Sequence, residues 1–215
     1  MQRPRCLYFR HPDIACFKKG GAGCPAKSGP AEAYPGALFP GICHAGHPSD
    51  LAPVLIALDA QAEITGFDGS RSLPLIDLYR DAAINRGREA NLAQDEVLTS
   101  LFVPHRVRAQ AFEKVAPRAA NEFSWAGAAV VVESIGDRIA GARIVLGGVA
   151  PGPFMLDRVD ELLVGERADE IESVRVAREL VQPESTSGSI AARVSAARLA
   201  VERALSRALR QLSSL

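Results

Sequence analysis

All four cysteines of this 215-residue chain lie within its first 43 residues, at Cys6, Cys16, Cys24 and Cys43. Such clustering needs a local cause, and the candidates are a disulfide pair, a zinc site, an iron–sulfur cluster or buried free thiols. Polar residues precede Cys6 instead of the apolar core of a secretory signal, which disfavours disulfides. Structural zinc usually recruits one pair of ligands two to four residues apart, whereas nine, seven and eighteen residues separate these cysteines.

A loop wrapped around an iron–sulfur cluster tolerates this spacing better than a zinc site does, although inert buried thiols are also common. Residues 1–48 are rich in Gly, Pro and Cys and show no apolar periodicity. We therefore predict an irregular loop that needs an organising centre to be ordered. The residues alone leave a cluster, zinc and inert core thiols open.

Charge and hydropathy exclude several classes of function. Lys+Arg and Asp+Glu balance at 25 each, so no net field attracts nucleic acid or an anionic membrane. The longest apolar run, WAGAAVVV, is far shorter than the roughly 20 residues that span a bilayer. We expect a soluble, cytoplasmic protein, or a periplasmic one if it is exported with a partner subunit. The length suits one large domain or two small ones.

The chain after the cysteine-rich segment predicts a mixture of helices and strands. SDLAPVLIALDA predicts a short helix with Ser49 as its N-cap, and AEITGFDGSRSLPL predicts a hairpin that turns at Asp68-Gly69. A short helix is expected around LIDLYRDAA, with strands in DEVLTSLFVP and AQAFEKVAPR.

The C-terminal half predicts a long hairpin followed by helices. The hairpin SWAGAAVVVESIGDRIAGARIVLGGVAP reverses at Ile135-Gly136-Asp137. Helical patterns follow at 157–164 and 167–181, and the last helix carries an apolar stripe from Ile190 to Leu212. Five arginines lie off this stripe and are interpreted as a solvated or subunit-facing side: Arg193, Arg198, Arg203, Arg207 and Arg210.

Five segments together resemble the FAD-binding medium subunit of molybdenum hydroxylases, the superfamily of xanthine dehydrogenase, CO dehydrogenase and aldehyde oxidoreductase. They are QRPRCLYFR, CFKKGGAGCPA, ALFPGICHAGHPSDLAPVLIALDA, AFEKVAPR and VLGGVAP. The cysteine loop and the HPSD segment are the specific parts and point to the aldehyde oxidoreductase branch.

The resemblance implies an α+β fold in two parts. Residues 1–105 would hold the cysteine loop and the second subdomain of a PCMH-type FAD-binding domain. Residues 106–215 would form a domain like the C-terminal domain of the CO dehydrogenase flavoprotein.

The resemblance also implies a [4Fe-4S] cluster bound by Cys6, Cys16, Cys24 and Cys43. Backbone N–H groups of Gly20, Gly21 and Gly23 could approach its sulfurs, and Lys18 and Lys19 would add positive potential or remain solvated. His44 and His47 flank the last cysteine, where roles beside the cluster or the flavin are preferred over zinc ligation.

Three further residues match positions near the flavin in the family. Asp50 would reach the ribityl and ring region, with helix N-terminal charge as its structural alternative. Leu98 would touch the flavin or simply be core. Lys114 would stabilise the negative charge of reduced flavin or be a solvent-facing strand lysine.

The resemblance further implies that the chain is N-terminally truncated, because the family's two glycine-rich turns precede the segment that matches Met1. A late start assignment, a split gene or a decayed gene would explain this, and the FAD site is expected to be incomplete.

The implied function is electron transfer from a molybdenum cofactor in a large subunit, through [2Fe-2S] centres in a small subunit, to FAD and an acceptor. The substrate would be an aldehyde or a purine-like heterocycle, as in the xanthine and aldehyde types. No catalytic residue is expected in this chain, since no nucleophile elbow is present. The alternative is a non-enzymatic, cluster- or zinc-binding assembly module that holds no flavin.

Overall fold

The computed structural model describes residues 6–27, 38–39, 41–82, 84–86, 88–105, 109–120, 122–182 and 189–212. The described chain contains two antiparallel sheets and five α-helices, which confirms the predicted α+β class. The predicted irregular loop covers residues 1–48, of which residues 1–5, 28–37 and 40 lie outside the described ranges.

The first sheet has three strands in the order β2-β1-β3. Strand β1 (Gln61–Gly66) pairs with β2 (Gly69–Pro74) and with β3 (Val97–Phe102). The β1–β2 loop consists of Phe67 and Asp68, one residue earlier than predicted, because Gly66 pairs with Gly69. Gly69 has φ 120°, a conformation that favours glycine. The expected helix after β2 is a single 3₁₀ turn, Leu75–Leu78.

The second sheet has four strands in the order β4-β5-β6-β7. They are β4 (Ala109–Val115), β5 (Ala126–Ile135), β6 (Arg138–Gly147) and β7 (Phe154–Met155). The predicted hairpin reversal is confirmed, since β5 ends at Ile135 and β6 begins at Arg138.

Strand β5 is buried on both faces. The side chains of Ala128, Val130 and Val132 belong to one apolar cluster, and those of Ala129 and Val131 belong to another. A strand that is covered on both faces needs apolar side chains at every position, and this explains the continuous apolar sequence AGAAVVV.

The α-helices of the described ranges are α1 (Leu7–Arg10), α2 (Leu51–Ala57), α3 (Val159–Leu163), α4 (Ser173–Leu180) and α5 (Ser189–Leu212). Helix α2 packs on β5 and β6 at one face of this sheet, and α5 packs on β4 and β5 at the other. The predicted stripe of α5 is buried against β4 and β5 at Val194, Ala197 and Val201, among others. Alanines in the stripe allow the helix to approach the sheet closely.

Arg203, Arg207 and Arg210 on the arginine side of α5 are exposed, as predicted, whereas Arg193 and Arg198 are partly buried. Arg198 donates hydrogen bonds to the Val181 carbonyl at 3.0 and 3.3 Å, and Arg207 pairs with Glu113 on β4. These arginines therefore join α5 to other elements of the same chain.

Within the described ranges, no helix combines the length and the apolar character needed to cross a lipid bilayer.

An ion pair fastens the segment before β3 to strand β2. Arg71 contacts both carboxylate oxygens of Glu96 at 2.6 and 2.9 Å, and Glu96 also accepts the Ala93 N–H at 2.7 Å. The Arg71 hydrogen bond, followed by that of Ala93, lowers the pKa of Glu96 from 4.5 to about 2.

We predict that protonation of the Glu96 carboxylate lowers the stability of the protein in acid. A carboxyl group whose pKa is lower in the folded state contributes stability above the unfolded pKa and loses it as pH falls toward the folded one. The free energy of unfolding should therefore decrease between pH 4.5 and about 2. Glu96→Gln and Arg71→Gln should each flatten this part of the profile in urea titrations. An acid profile that both variants leave unchanged would contradict the prediction.

Candidate functional site

The four cysteines come together at the start of the described chain. All four are free thiols, with Cys16 and Cys43 buried and Cys6 and Cys24 partly buried. Burial raises the pKa of the Cys6 thiol, a hydrogen bond from Phe9 opposes this, and the nearby thiols of the other three cysteines raise it further. The clustering in sequence therefore corresponds to clustering in space.

A single metal ion and an iron–sulfur cluster make different demands on the positions of their thiolate ligands. No group of three or more His, Cys, Asp or Glu side chains in the described ranges could hold one. Zinc would require its sulfurs about 2.3 Å from a common centre. An iron–sulfur cluster places iron and sulfide atoms between its thiolates and holds them further apart. The four-thiol set fits the chemistry of a cluster, whose presence stays a prediction.

The N–H groups of the loop glycines were expected to approach the sulfurs, but two of them donate to carbonyl oxygens instead. Gly20 donates to the Phe17 carbonyl at 3.2 Å, and Gly21 donates to the Cys16 carbonyl at 3.0 Å. Gly21 is required for a different reason, because a Cβ there would lie 2.4 Å from the Ala15 carbonyl oxygen.

Lys18, expected either to add positive potential or to be solvated, instead anchors the cysteine loop. Its ammonium group donates to three backbone carbonyls, those of Ala82 at 2.7 Å, Asn85 at 2.6 Å and Arg88 at 2.9 Å. Arg86 of the same segment lies over the Phe17 ring, 5.5 Å from its centroid. Lys19 similarly donates to the His11 carbonyl. No pattern in the sequence indicates the contacts of Lys18, because they join residues 64 to 70 positions apart.

Asp50 and Lys114, two of the three predicted flavin residues, form an ion pair. Lys114 on β4 lies 2.7 Å from Asp50 Oδ2 at the start of α2. The other oxygen, Asp50 Oδ1, is buried and has no hydrogen-bond partner. A buried carboxylate oxygen without a donor is costly, so this atom is suited to accept a hydrogen bond from a ligand.

Glycines in the sheet bring α2 close enough for this pairing. Lys114, Gly127 and Gly147 form one row across β4, β5 and β6. A Cβ at Gly147 would lie 2.9 Å from the ring of Pro53 and 3.2 Å from the Ser49 carbonyl oxygen. The first turn of α2 therefore rests directly on the backbone of β6.

The start of α2 is fixed by the HPSD segment. Ser49 Oγ accepts the Ala52 N–H at 3.0 Å, which confirms Ser49 as the predicted cap. The backbone of His47 donates to Ala150 and accepts from Gly148, and its ring packs against Tyr79 at 5.1 Å. Burial strongly raises the pKa of Tyr79.

The remaining predicted residues lie apart from this pair. Leu98 belongs to β3, where it pairs with Ile64 and packs against the apolar cluster shared with α2. His44 is partly buried, next to Cys43. The structure thus joins Asp50 with Lys114 and places Leu98 in the neighbouring sheet.

Comparison with known families matches both parts of the chain. Residues 40–106 match the FAD binding domain in molybdopterin dehydrogenase, and residues 111–208 match the CO dehydrogenase flavoprotein C-terminal domain. Asp50 and Leu98 lie in the first match and Lys114 lies in the second.

Two curated relatives extend these matches. The aldehyde oxidoreductase FAD-binding subunit PaoB of Escherichia coli is 31% identical over 166 residues, which are 76% of this chain and 51% of that protein. The carbon monoxide dehydrogenase medium chain of Afipia carboxidovorans is 31% identical over 127 residues, 58% of this chain and 42% of that protein. The chain thus spans about half the length of the curated relatives it matches.

Solved structures show the same fold. Quinoline 2-oxidoreductase from Pseudomonas putida 86 superposes with a TM-score of 0.65 at 25% identity, over 77% of this chain and 57% of that one. A carbon monoxide dehydrogenase from Hydrogenophaga pseudoflava gives a TM-score of 0.65 at 23% identity, over 76% of this chain and 57% of that chain.

We predict that Gly147→Ala destabilises the chain by about 1–3 kcal/mol, because the new methyl group would press on Pro53 and on backbone. Gly141→Ala, on the same strand, meets nothing within 4 Å and is the matched control. It should be neutral or stabilise by about 0.4–1 kcal/mol. Urea unfolding measures both, and equal effects would show that α2 does not rest on β6 as described.

Proposed function

The chain belongs to the family of FAD-binding medium subunits of the molybdenum hydroxylases, and we propose that it is an electron-transferring flavin subunit of such a complex. Its partners would be a large subunit with the molybdenum cofactor and a small subunit with [2Fe-2S] centres. The two electrons released when an aldehyde or a purine-like heterocycle is hydroxylated would pass through these centres to FAD and then to an acceptor. The similarity to an aldehyde oxidoreductase subunit favours an aldehyde.

The observation that carries the proposal is the Asp50–Lys114 pair at the junction of the two matched regions. Its buried, unpartnered Oδ1 needs a donor, and the hydroxyl groups of a flavin side chain are donors of the right kind. The residues present therefore fit part of an FAD molecule.

Asp50 and Lys114 would have different roles toward the flavin. Asp50 would bind flavin through Oδ1 while its Oδ2 holds Lys114 in place. Lys114, fixed in this way, would keep a positive charge beside the ring, and Leu98 would supply apolar contact. Bound FAD itself supplies the capacity to accept and release electrons.

We predict that Asp50→Asn weakens FAD binding about tenfold or more, because hydrogen bonds to a charged acceptor contribute about 1.5–3 kcal/mol. Asp59→Asn is the matched control. Asp59 follows the other end of α2, forms an ion pair with Arg143 at 2.7 Å, and has φ 61°, which asparagine tolerates. Titration of the purified chain with FAD, followed by flavin fluorescence, measures the dissociation constants.

Equal affinities for FAD in Asp50→Asn and the wild type would exclude Asp50 as a flavin ligand. If the wild-type chain binds no FAD at all, the alternative proposal of an assembly module without flavin is favoured. The grouping of the four cysteines supports that alternative, because thiols can bind zinc or an iron–sulfur cluster without any flavin.

We also propose that the four cysteines bind a [4Fe-4S] cluster, since Cys6, Cys16, Cys24 and Cys43 are free thiols and the other three lie near enough to Cys6 to raise its pKa. Anaerobically purified protein should contain about four irons per chain and absorb broadly near 400 nm. Cys16→Ser and Cys24→Ser should each remove the iron and make the loop more sensitive to protease, because metal binding is coupled to folding.

Stoichiometric zinc without iron would overturn the cluster proposal. Unchanged protease resistance in the serine variants would instead identify the thiols as ordinary core residues. The domain boundary between residues 105 and 106 stays a prediction. The cytoplasmic location stays a prediction as well.

A further inference from the structure

The cysteine loop and the segment before β3 hold each other through two cationic side chains that reach in opposite directions. Lys18 of the loop donates to backbone carbonyls of the segment. Arg86 of the segment lies 5.5 Å from the centroid of the Phe17 ring and donates to the Gly20 carbonyl at 3.5 Å. We call these contacts of Lys18 and Arg86 the clasp. None of them uses a thiol.

The Lys18 half of the clasp is a carbonyl cradle around an ammonium group. An ammonium group has three N–H donors, and three carbonyls accept from Lys18, those of Ala82 at 2.7 Å, Asn85 at 2.6 Å and Arg88 at 2.9 Å. The lysine is half-buried there. Hydrogen bonds from a charged donor are stronger than neutral ones, so removing the ammonium group is costly.

The cradle is formed by two successive turns. The Asn85 N–H donates to the Asp81 carbonyl at 2.8 Å, and the Arg88 N–H donates to Asn85 Oδ1 at 3.0 Å. These bonds bend the segment, so its carbonyls at 82, 85 and 88 reach one point.

The cradle is fixed to the body of the protein at both ends. The Asn91 N–H donates to the Leu78 carbonyl at 2.7 Å, which closes the segment. The Ala82 N–H donates to the Tyr79 carbonyl at 2.9 Å, and both side chains are buried. A Cβ at Gly152 would lie 3.2 Å from Tyr79 Cβ, so this end packs directly on the chain after β6. Lys18 therefore connects the cysteine loop to a fixed support.

The clasp acts on the turn that carries Cys16. The Cys16 carbonyl accepts the N–H groups of Lys19 at 2.8 Å and Gly21 at 3.0 Å, and its side chain is 5% exposed. The Phe17 ring under Arg86 is buried in the same apolar cluster as Cys43. Holding this turn in place thus holds Cys16 directly and Cys43 through the Phe17 ring.

We propose that Lys18 and Arg86 are positioning residues for the cysteine centre. The clasp docks the turn at Cys16 on the segment before β3, so that Cys16 and Cys43 are already held in place when a metal enters. Ligands that are held in advance lose less conformational entropy on binding, and the bound metal is retained longer. For the metal, this inference rests on the cluster proposed above. The docking of the loop depends on the chain's own contacts alone.

The rate of alkylation of Cys16 tests the docking without any metal. The full chain is freed of metal with a chelator and treated with iodoacetamide, and mass spectrometry follows the reaction at Cys16. A buried thiol reacts only when its segment opens. Lys18→Met keeps the apolar stem and removes the ammonium group, so Cys16 should react at least about tenfold faster. Arg86→Gln should accelerate the reaction about threefold, because the contact with the Phe17 ring is weaker.

Two matched controls and a rescue separate the clasp from a general loss of stability. Lys19, the next residue on the same turn, donates to the His11 carbonyl inside the loop, and Lys19→Met should react like the wild type. Arg80→Gln removes an exposed pair with Asp77 outside the clasp and should also have no effect. In Lys18→Ala, propylammonium replaces the missing atoms of the side chain and should slow the reaction again at millimolar concentration. Tetramethylammonium, which has no N–H donor, should not.

The metal arm measures the release of iron. The chain is reconstituted anaerobically with iron and sulfide, and the loss of absorbance near 400 nm is followed in excess chelator. Lys18→Met should lose its iron about tenfold faster than the wild type, because the opened loop holds its ligands less firmly. Lys19→Met should lose it at the wild-type rate.

Three results would overturn the proposal. They are wild-type Cys16 that reacts as fast as in urea-unfolded protein, equal alkylation rates in Lys18→Met and Lys19→Met, and equal rates of iron release in these two variants. A chain that takes up no iron would overturn the cluster and, with it, the positioning role toward metal. The alkylation rates would still show whether the clasp docks the loop, so the two failures are distinguishable.

Discussion

The contact between the first turn of α2 and the backbone of β6 determines where the candidate flavin residues lie. At Gly147 the strand has no side chain, and the ring of Pro53 occupies the space where a Cβ would stand. This brings Asp50 within 2.7 Å of Lys114, which lies in the same row of the sheet two strands away. A larger residue at Gly147 would lift the helix and separate the pair. A glycine on one strand therefore positions a carboxylate on a different element.

Strand β5 makes the two matched regions one structure. Its alternate side chains belong to different apolar clusters, one covered by α5 and the other by α2 and the three-stranded sheet. The N-terminal match and the C-terminal match thus share a buried strand. Because apolar burial is the main favourable contribution to folding, each part stabilises the other through β5. The Asp50–Lys114 pair spans the same boundary and requires both parts.

Local pattern predicted most of the elements and part of the site. The hairpin of β5 and β6, the stripe of α5 and the Ser49 cap follow from periodicity and turn chemistry, which depend on near neighbours in the sequence. The pairing of Asp50 with Lys114, 64 residues apart, was not predicted, although family resemblance had indicated each residue separately. The contacts of Lys18 were not predicted either. Its three acceptors are backbone carbonyl groups, which every residue type has, so no particular residue in the sequence marks them. Long-range contacts to backbone leave no pattern in sequence.

The cysteine loop has a small apolar core within the described ranges. Its apolar cluster there has Phe17, Cys43 and Ala45 as buried members, with Cys6 packed against them. So small a core offsets little of the conformational entropy lost when more than twenty residues are ordered. The contacts of Lys18 with Ala82, Asn85 and Arg88, and of Arg86 with Phe17, fix one end of the loop. The [4Fe-4S] cluster proposed above would close the loop at four points at once, and its binding energy would then add to the stability of a segment with so small a core.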